Sequence, residues 1–290
     1  MDMRAMIAGL TFALIWSSAF TSARIIVTNA PPLTVSALRF LLAGLIALLL
    51  AKLMGQSLRL TRQQWRLTIL FGICQNALYL GMNFIAMTRV EASVAAIIAS
   101  SLPLLVALAG WLSSTETIRP LGLLGLAAGL GGVVLIMGTR ITQGVDLTGI
   151  MLCCFAALAL TFATLAVRGA SAGGNVVAVV AWQMLIGSAA LALPALAFEP
   201  WVANLTPTVL IAFAYTVLVP GLIATLIWFW LVGRIGATRA ATFHFLNPVF
   251  GVAIAAVLLE EAIGPLDFAG VVITTLGILA VQISKAPKTA

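Results

Sequence analysis

The chain has 290 residues, of which 62% are hydrophobic and only 8% charged, where a soluble domain carries roughly a quarter charged. So few polar residues cannot cover a water-soluble core of that size, so a soluble globular fold is excluded and a lipid bilayer is the expected partner. The net charge of +7 is no nucleic-acid footprint, because the basic residues sit at the ends of apolar runs rather than in one patch.

A helix needs roughly 20 apolar residues to cross a bilayer, and the chain offers ten such runs. The first, 5–27, carries Trp16, Ser17 and Ser18 in its middle. It is read as a span and not a signal peptide, because it is too long for a typical signal core and has a counterpart in mid-chain. The second, 33–53, follows Pro31-Pro32 and holds Arg39 a turn or two inside. That position lets a long side chain reach the interface, so anchoring is preferred to solute binding. The third, 67–88, bears Gln75, Asn76, Tyr79 and Asn83. The last three lie three or four residues apart and share one helical face, which is costly against lipid and so is expected to line a cavity or bond a neighbouring helix.

The fourth, 92–112, contains Ser100, Ser101 and Pro103, and the fifth, 120–138, contains Gly125, Gly129 and Gly132. The sixth, 147–168, carries Thr161 and Phe162; the seventh, 175–197, carries Trp182 and Gln183. The eighth, 207–232, is interrupted by Pro220-Gly221 and continues to Thr225 and Trp228. The ninth, 238–259, holds His244, Asn247 and Pro248, and the tenth is 265–284. Trp65, Trp111 and Trp201 stand near span ends and read as interfacial anchors. Cys74, Cys153 and Cys154 lie within apolar runs without metal-ligand spacing and read as small core residues.

With the N-terminus placed in the cytoplasm, Arg4, Lys52, Arg59, Arg62, Arg66, Arg119, Arg168, Arg234, Arg239, Lys285 and Lys288 fall on that side. Only Arg24, Arg39, Arg89 and Arg140 fall within or beyond the membrane. The positive-inside rule therefore puts both termini in the cytoplasm of a multi-pass inner-membrane protein.

The chain also repeats itself. Arg89, Ala92, Ser93, Ala95 and Ala96 match Arg234, Ala237, Thr238, Ala240 and Ala241 at an offset of 145 residues. The same offset joins Pro103 to Pro248, Glu116 to Glu261, Pro120-Leu121 to Pro265-Leu266, Gly125 to Gly270 and Gly132 to Gly277. An offset of 144 pairs Arg24 with Arg168 and Arg39 with Gln183. The expected units are 1–143 and 144–290, each with five spans. An odd number of spans makes two units in series point in opposite directions, an inverted repeat of the kind common in secondary transporters. The recurring glycines read as close helix contacts between the halves.

Two five-helix repeats, a Trp in the first helix, the paired openings at Arg89 and Arg234, the paired prolines Pro103 and Pro248, and Glu116 with Glu261 together resemble the drug/metabolite transporter superfamily, and within it the EamA-type exporters. The resemblance extends over the whole chain and, for substrate, points towards bacterial amino-acid exporters, including aromatic ones. It departs from the small multidrug members, which carry an essential acid in the first helix where this chain has Trp16-Ser17, with Leu160-Thr161 in the sixth.

The expected fold is all-α, with ten transmembrane helices in two inverted repeats around a central cavity. The expected function is secondary export of small neutral or zwitterionic metabolites, most of all amino acids, by a monomer built as a fused pseudo-dimer; the alternative is a drug or nucleotide-derived metabolite. The residues expected to contact solute are Trp16, Ser17, Tyr79, Asn83, Ser100, Ser101, Phe162, Trp228, His244 and Asn247, with Pro103, Pro248, Pro220 and Gly221 as gates or hinges. His244 reads either as a proton shuttle or as a neutral ring bonding a neighbour. No Asp or Glu falls deep within a span, no phosphate-binding G-x-x-x-x-G-K-[ST] motif occurs, and nothing points to catalysis or to a cofactor.

Overall fold

A computed structural model describes residues 3–112, 119–142, 144–166, 174–200, 202–235, 240 and 242–285. Glu116, Arg168, Trp201, Arg239 and Lys288 lie outside the described residues, as does position 143 between the two expected units. The fold is all-α, with no strand among the described residues. Its helices are α1 (Met3–Val27), α2 (Pro32–Leu53), α3 (Arg62–Ala86), α4 (Ala92–Leu112), α5 (Pro120–Thr142), α6 (Leu147–Ala166) and α7 (Val176–Phe198). There follow α8, which runs continuously through Pro207–Thr216, Val217–Ile223 and Ala224–Ile235, then α9 (Asn247–Leu259) and α10 (Pro265–Lys285). Among the described residues nine helices are long and apolar enough to cross a membrane, and Phe243–Leu259 is a shorter apolar one.

Local chemistry sets the helix starts. Proline stands in the first turn of α2, α5, α8 and α10, where its missing N–H removes no helical bond. α3 begins five residues before its apolar run, because Thr61 and Gln64 form a capping box: the Thr61 hydroxyl accepts the Gln64 N–H at 3.2 Å and the Gln64 side chain accepts the Thr61 N–H at 2.9 Å. α2 stops at a turn through Gly55, whose φ of 68° favours glycine.

Two helix pairs form the closest seams. In the first, α5 packs on α10 through glycine. A methyl group on Gly277 would stand 2.5 Å from the Gly129 Cα, and one on Gly132 would stand 2.8 Å from the Gly270 carbonyl. Such close approach gives van der Waals contact in lipid, where the hydrophobic effect does not drive helices together. In the second, Ala43, Ala47 and Ala51 of α2 form a small-residue stripe against Val177, Ala181 and Met184 of α7, and the Ser188 hydroxyl donates to the Ala37 carbonyl at 2.8 Å.

The ends of α2 and α7 cap each other. Beyond α2, the Gln56 side-chain oxygen accepts the N–H groups of Val177 and Ala178 at the start of α7, at 3.0 and 3.3 Å. Beyond α7, the Glu199 carboxylate accepts the N–H groups of Leu33 and Thr34 at the start of α2, both at 2.8 Å. Each helix's first turn, with its orphan donors and positive dipole end, is thus met by an oxygen from the far end of the other, so the two run antiparallel.

α1 threads the middle of the bundle, packed on α4, α8 and α9. The outer surface is apolar: Leu41, Leu45 and Leu49 of α2 and Phe155, Leu158 and Phe162 of α6 are all exposed. In water such a surface would aggregate; in a bilayer it is solvated. Cys74 and Cys153 are buried, but Cys154 is exposed among these residues, so the core reading fails for the third cysteine.

Candidate functional site

Inside the bundle α1, α2, α3, α7 and α8 enclose a cavity with about 580 Å³ of empty space, its mouth included. Its polar wall is Arg39, Gln75, Asn76, Tyr79, Asn83 and Thr225, and its aromatic wall includes Trp16, Phe20, Phe40 and Phe84. Pro220 and Gly221 complete the lining from α8. The stripe on α3 and the break in α8 therefore face each other across one space.

The α3 stripe and the α8 break each stand on a widened helix. Gly72–Leu80 of α3 and Val217–Ile223 of α8 are π-helical, and the two stretches begin 145 residues apart, in the register of the repeat. In a π turn each carbonyl bonds five residues ahead, which bulges the backbone. Around Pro220, which has no N–H to give, the bulge absorbs the missing bond without ending the helix. Around Gln75 and Asn76 it coincides with a close interhelical contact, where the Asn76 amide donates to the Gln183 carbonyl at 2.9 Å. A side chain at Gly187 would collide with Asn76, its Cβ meeting the Asn76 Cβ at 2.3 Å. Further along α3, the Asn83 amide donates to the Tyr79 carbonyl at 2.8 Å, leaving the Asn83 Oδ1 with no partner among the described residues.

Arg39 departs from the sequence reading. It does not reach the interface: it is only 6% exposed and lines the cavity. Its guanidinium carbon lies 4.4 Å from the centre of the Phe40 ring and 4.9 Å from that of Phe84. The neighbouring aromatic rings hold the charged head inside the bundle through cation–π contact, which the span boundary alone does not reveal.

Towards the N-terminal end of α1 the bundle closes on a second aromatic group. Phe12 packs on Trp16, Trp228 and His244 with centroid separations of 5.6, 5.0 and 5.4 Å. The His244 Nδ1 is 2.9 Å from the Asn247 amide nitrogen, and the Ser17 hydroxyl donates to the Asn247 carbonyl at 3.4 Å. A Cβ on Gly9 would meet the Phe243 ring at 2.3 Å, so α1 and the turn before α9 are in full contact here. Trp16 belongs to both groups, closing the cavity on one side and this plug on the other. Ser17, Trp228, His244 and Asn247 thus come together, but in the plug and not on the cavity wall.

Other expected residues lie apart. Ser100 and Ser101 are buried and donate back to the Ala96 and Ile98 carbonyls of their own helix, both at 2.6 Å, and neither lines the cavity. Phe162 is 61% exposed on the outer surface of α6. Pro103 follows a break of α4 at Ser101. Pro248 sits in the first turn of α9 after a 3₁₀ turn, Thr242–Leu246, so the second proline starts a helix where a mid-helix kink is expected. Trp65 packs on Trp182 at 5.2 Å, and the Trp182 indole donates to the Leu58 carbonyl at 3.0 Å.

The model of the EamA-like transporter family matches the sequence twice, over residues 3–138 and 147–283. An uncharacterized transporter of Synechocystis is 28% identical over 92% of this chain and 86% of its own length. The uncharacterized inner membrane transporter YedA of Escherichia coli is 26% identical over 96% of this chain and 90% of its own. A crystal structure at 24% identity superposes with a TM-score of 0.69, covering 98% of this chain and 99% of that one, which shows the shared fold.

Proposed function

The chain belongs to the EamA-like transporter family, and on that footing we propose that it exports small zwitterionic metabolites, amino acids with apolar or aromatic side chains first among them. The membrane-embedded chain is a transporter and not an enzyme, as its family and relatives are. One observation carries the finer reading: the cavity combines five aromatic side chains with three side-chain amides, and no Asp or Glu among the described residues lines it. Aromatic faces suit an apolar side chain, amides suit the polar ends of a solute, and a permanent cation finds no counter-charge.

The proposed mechanism is alternating access by two inverted halves, 1–143 and 144–290, with both termini in the cytoplasm and the monomer as the working unit. Three features support the inverted relation: the twofold family match, the reciprocal capping of α2 and α7, and the π stretches in one register. In this arrangement the plug of Phe12, Trp228, His244 and Asn247 seals the cytoplasmic end while the cavity lies in the other half of the bundle. Pro220 with Gly221, and the helix breaks beside Pro103 and Pro248, are the places where the backbone can bend.

The test is uptake of labelled amino acids into proteoliposomes, with and without a pH gradient. Phenylalanine or leucine should enter well above the rate in empty liposomes. Tyr79→Ala and Asn83→Ala should each cut that rate about tenfold while the protein remains folded. Absence of flux for every amino acid in the panel sinks the amino-acid reading.

A further inference from the structure

Within that reading, we infer that Arg39 is the anion subsite of the cavity, and that its guanidinium receives the carboxylate of the solute. Arg39 sits seven residues after Pro32 on α2, so about 10 Å inside the helix end. A charge at that depth, 6% exposed, is expensive unless an opposite charge or a ring meets it. Among the described residues it is met by rings, those of Phe40 and Phe84. No hydrogen bond or ion pair joins the guanidinium to any described residue.

Two acids, Glu199 and Glu261, bond to helix starts. Glu199 spends both oxygens on the Leu33 and Thr34 N–H groups and the Thr34 hydroxyl. Glu261 spends both on the N–H groups of Ala92 and Ser93. Arg39 lines the cavity with no ion pair to any described acid, and the proposed counter-ion is the solute. Rings over the guanidinium leave its in-plane N–H fork open, and that fork matches the two oxygens of a carboxylate.

The other half of the chain does not repeat the charge. Position 183, matched to Arg39 in the repeat, is Gln, and its backbone carbonyl holds the Asn76 amide. One half of the cavity thus carries a cation and the other none, which fits a solute with one carboxylate and an apolar remainder facing Trp16 and Phe20.

Phenylalanine and phenylalaninamide differ only at this group, so they are the probes. In wild-type proteoliposomes the amide should compete with labelled phenylalanine at least tenfold more weakly than unlabelled phenylalanine does. Arg39→Gln should collapse that preference to within about threefold, and Arg39→Lys should restore part of it. Equal competition by the amide in the wild type overturns the inference, and this arm needs no variant to fold. A separate arm uses phenylacetate and phenylacetamide in a thermal-unfolding assay on purified protein. Only the acid should stabilise the wild type, and neither should stabilise Arg39→Gln. Phenylacetate stabilisation that depends on Arg39, without amino-acid flux, would remove the amino-acid reading and keep the subsite. Flux of phenylalanine with no preference over its amide would do the reverse.

Discussion

A methyl group added at Gly277 and one added at Gly131 should act in opposite directions, although both glycines lie in the same helix pair. At Gly277 the new carbon falls 2.5 Å from the Cα and N of Gly129, which are backbone atoms that cannot rotate away. Gly277→Ala should therefore part α5 from α10 and cost about 1–3 kcal/mol. At Gly131 nothing lies within 4 Å, and Gly131→Ala should gain about 0.5–1 kcal/mol, by helix propensity and lost unfolded-state freedom. Thermal unfolding in detergent separates the two; a fall for both would mean that glycine matters here for flexibility. At Asp146, in the loop before α6, the Gly149 N–H at 2.9 Å and, after it, Arg89 at 3.1 Å hold the carboxyl below the usual range. A depressed carboxyl stabilises above its unfolded pKa, and the effect fades as pH falls through the folded one. Asp146→Asn should thus lower the melting temperature slightly at pH 7, and the loss should shrink as the pH is brought down through the acidic range; a loss independent of pH would point to a role other than charge.

Reciprocal caps make the α2–α7 pair a unit whose ends can be tested separately. Glu199→Ala leaves the first N–H groups of α2 without their acceptor, and Gln56→Ala does the same for α7, each at a cost of about 1–2 kcal/mol. The two sites lie a helix length apart, about 33 Å for the 22 residues of α2, so the double variant should show the sum of the single losses. Melting temperatures of the three variants check this, and no loss in either single variant would make these contacts incidental. Sequence reading reached most of the elements, because a span is a matter of length and apolarity and its proline starts are local. It could not reach the π stretches, since the side-chain types of a π turn do not differ from those of an α turn. It set α3 five residues too late, because a capping box of Thr61 and Gln64 lies in a polar segment that hydropathy passes over. Pro220 with Gly221, read as a hinge from the break in the span, also lines the cavity. Tyr79 and Asn83 were legible as cavity residues from their polarity. Arg39 was not: whether a long cation snorkels or turns inward depends on Phe84, which is 45 residues away in sequence and adjacent only in the fold.

At the scale of the whole molecule, the cavity and the aromatic plug occupy successive depths along α1, with Trp16 between them. If the halves rock, access must reverse between these two levels. In the described state a small hydrophilic reagent should enter the cavity from its mouth and be stopped at Phe12, Trp228 and His244. The native thiols complicate labelling, since Cys154 is exposed, so the background is a chain with Cys74, Cys153 and Cys154 all replaced by Ala. In that background Thr225→Cys, on the cavity wall, should react with a membrane-impermeant thiosulfonate added to the periplasmic face of cells. Ala8→Cys, beside the plug, should not. Saturating substrate that drives turnover should slow the first reaction and allow modification of the second from the cytoplasmic face of inside-out vesicles, as the plug spends part of its time open. Labelling of Ala8→Cys from the outside, with or without substrate, would mean that the plug is no barrier. A Thr225→Cys reactivity indifferent to substrate would mean that the cavity is not the compartment the solute crosses.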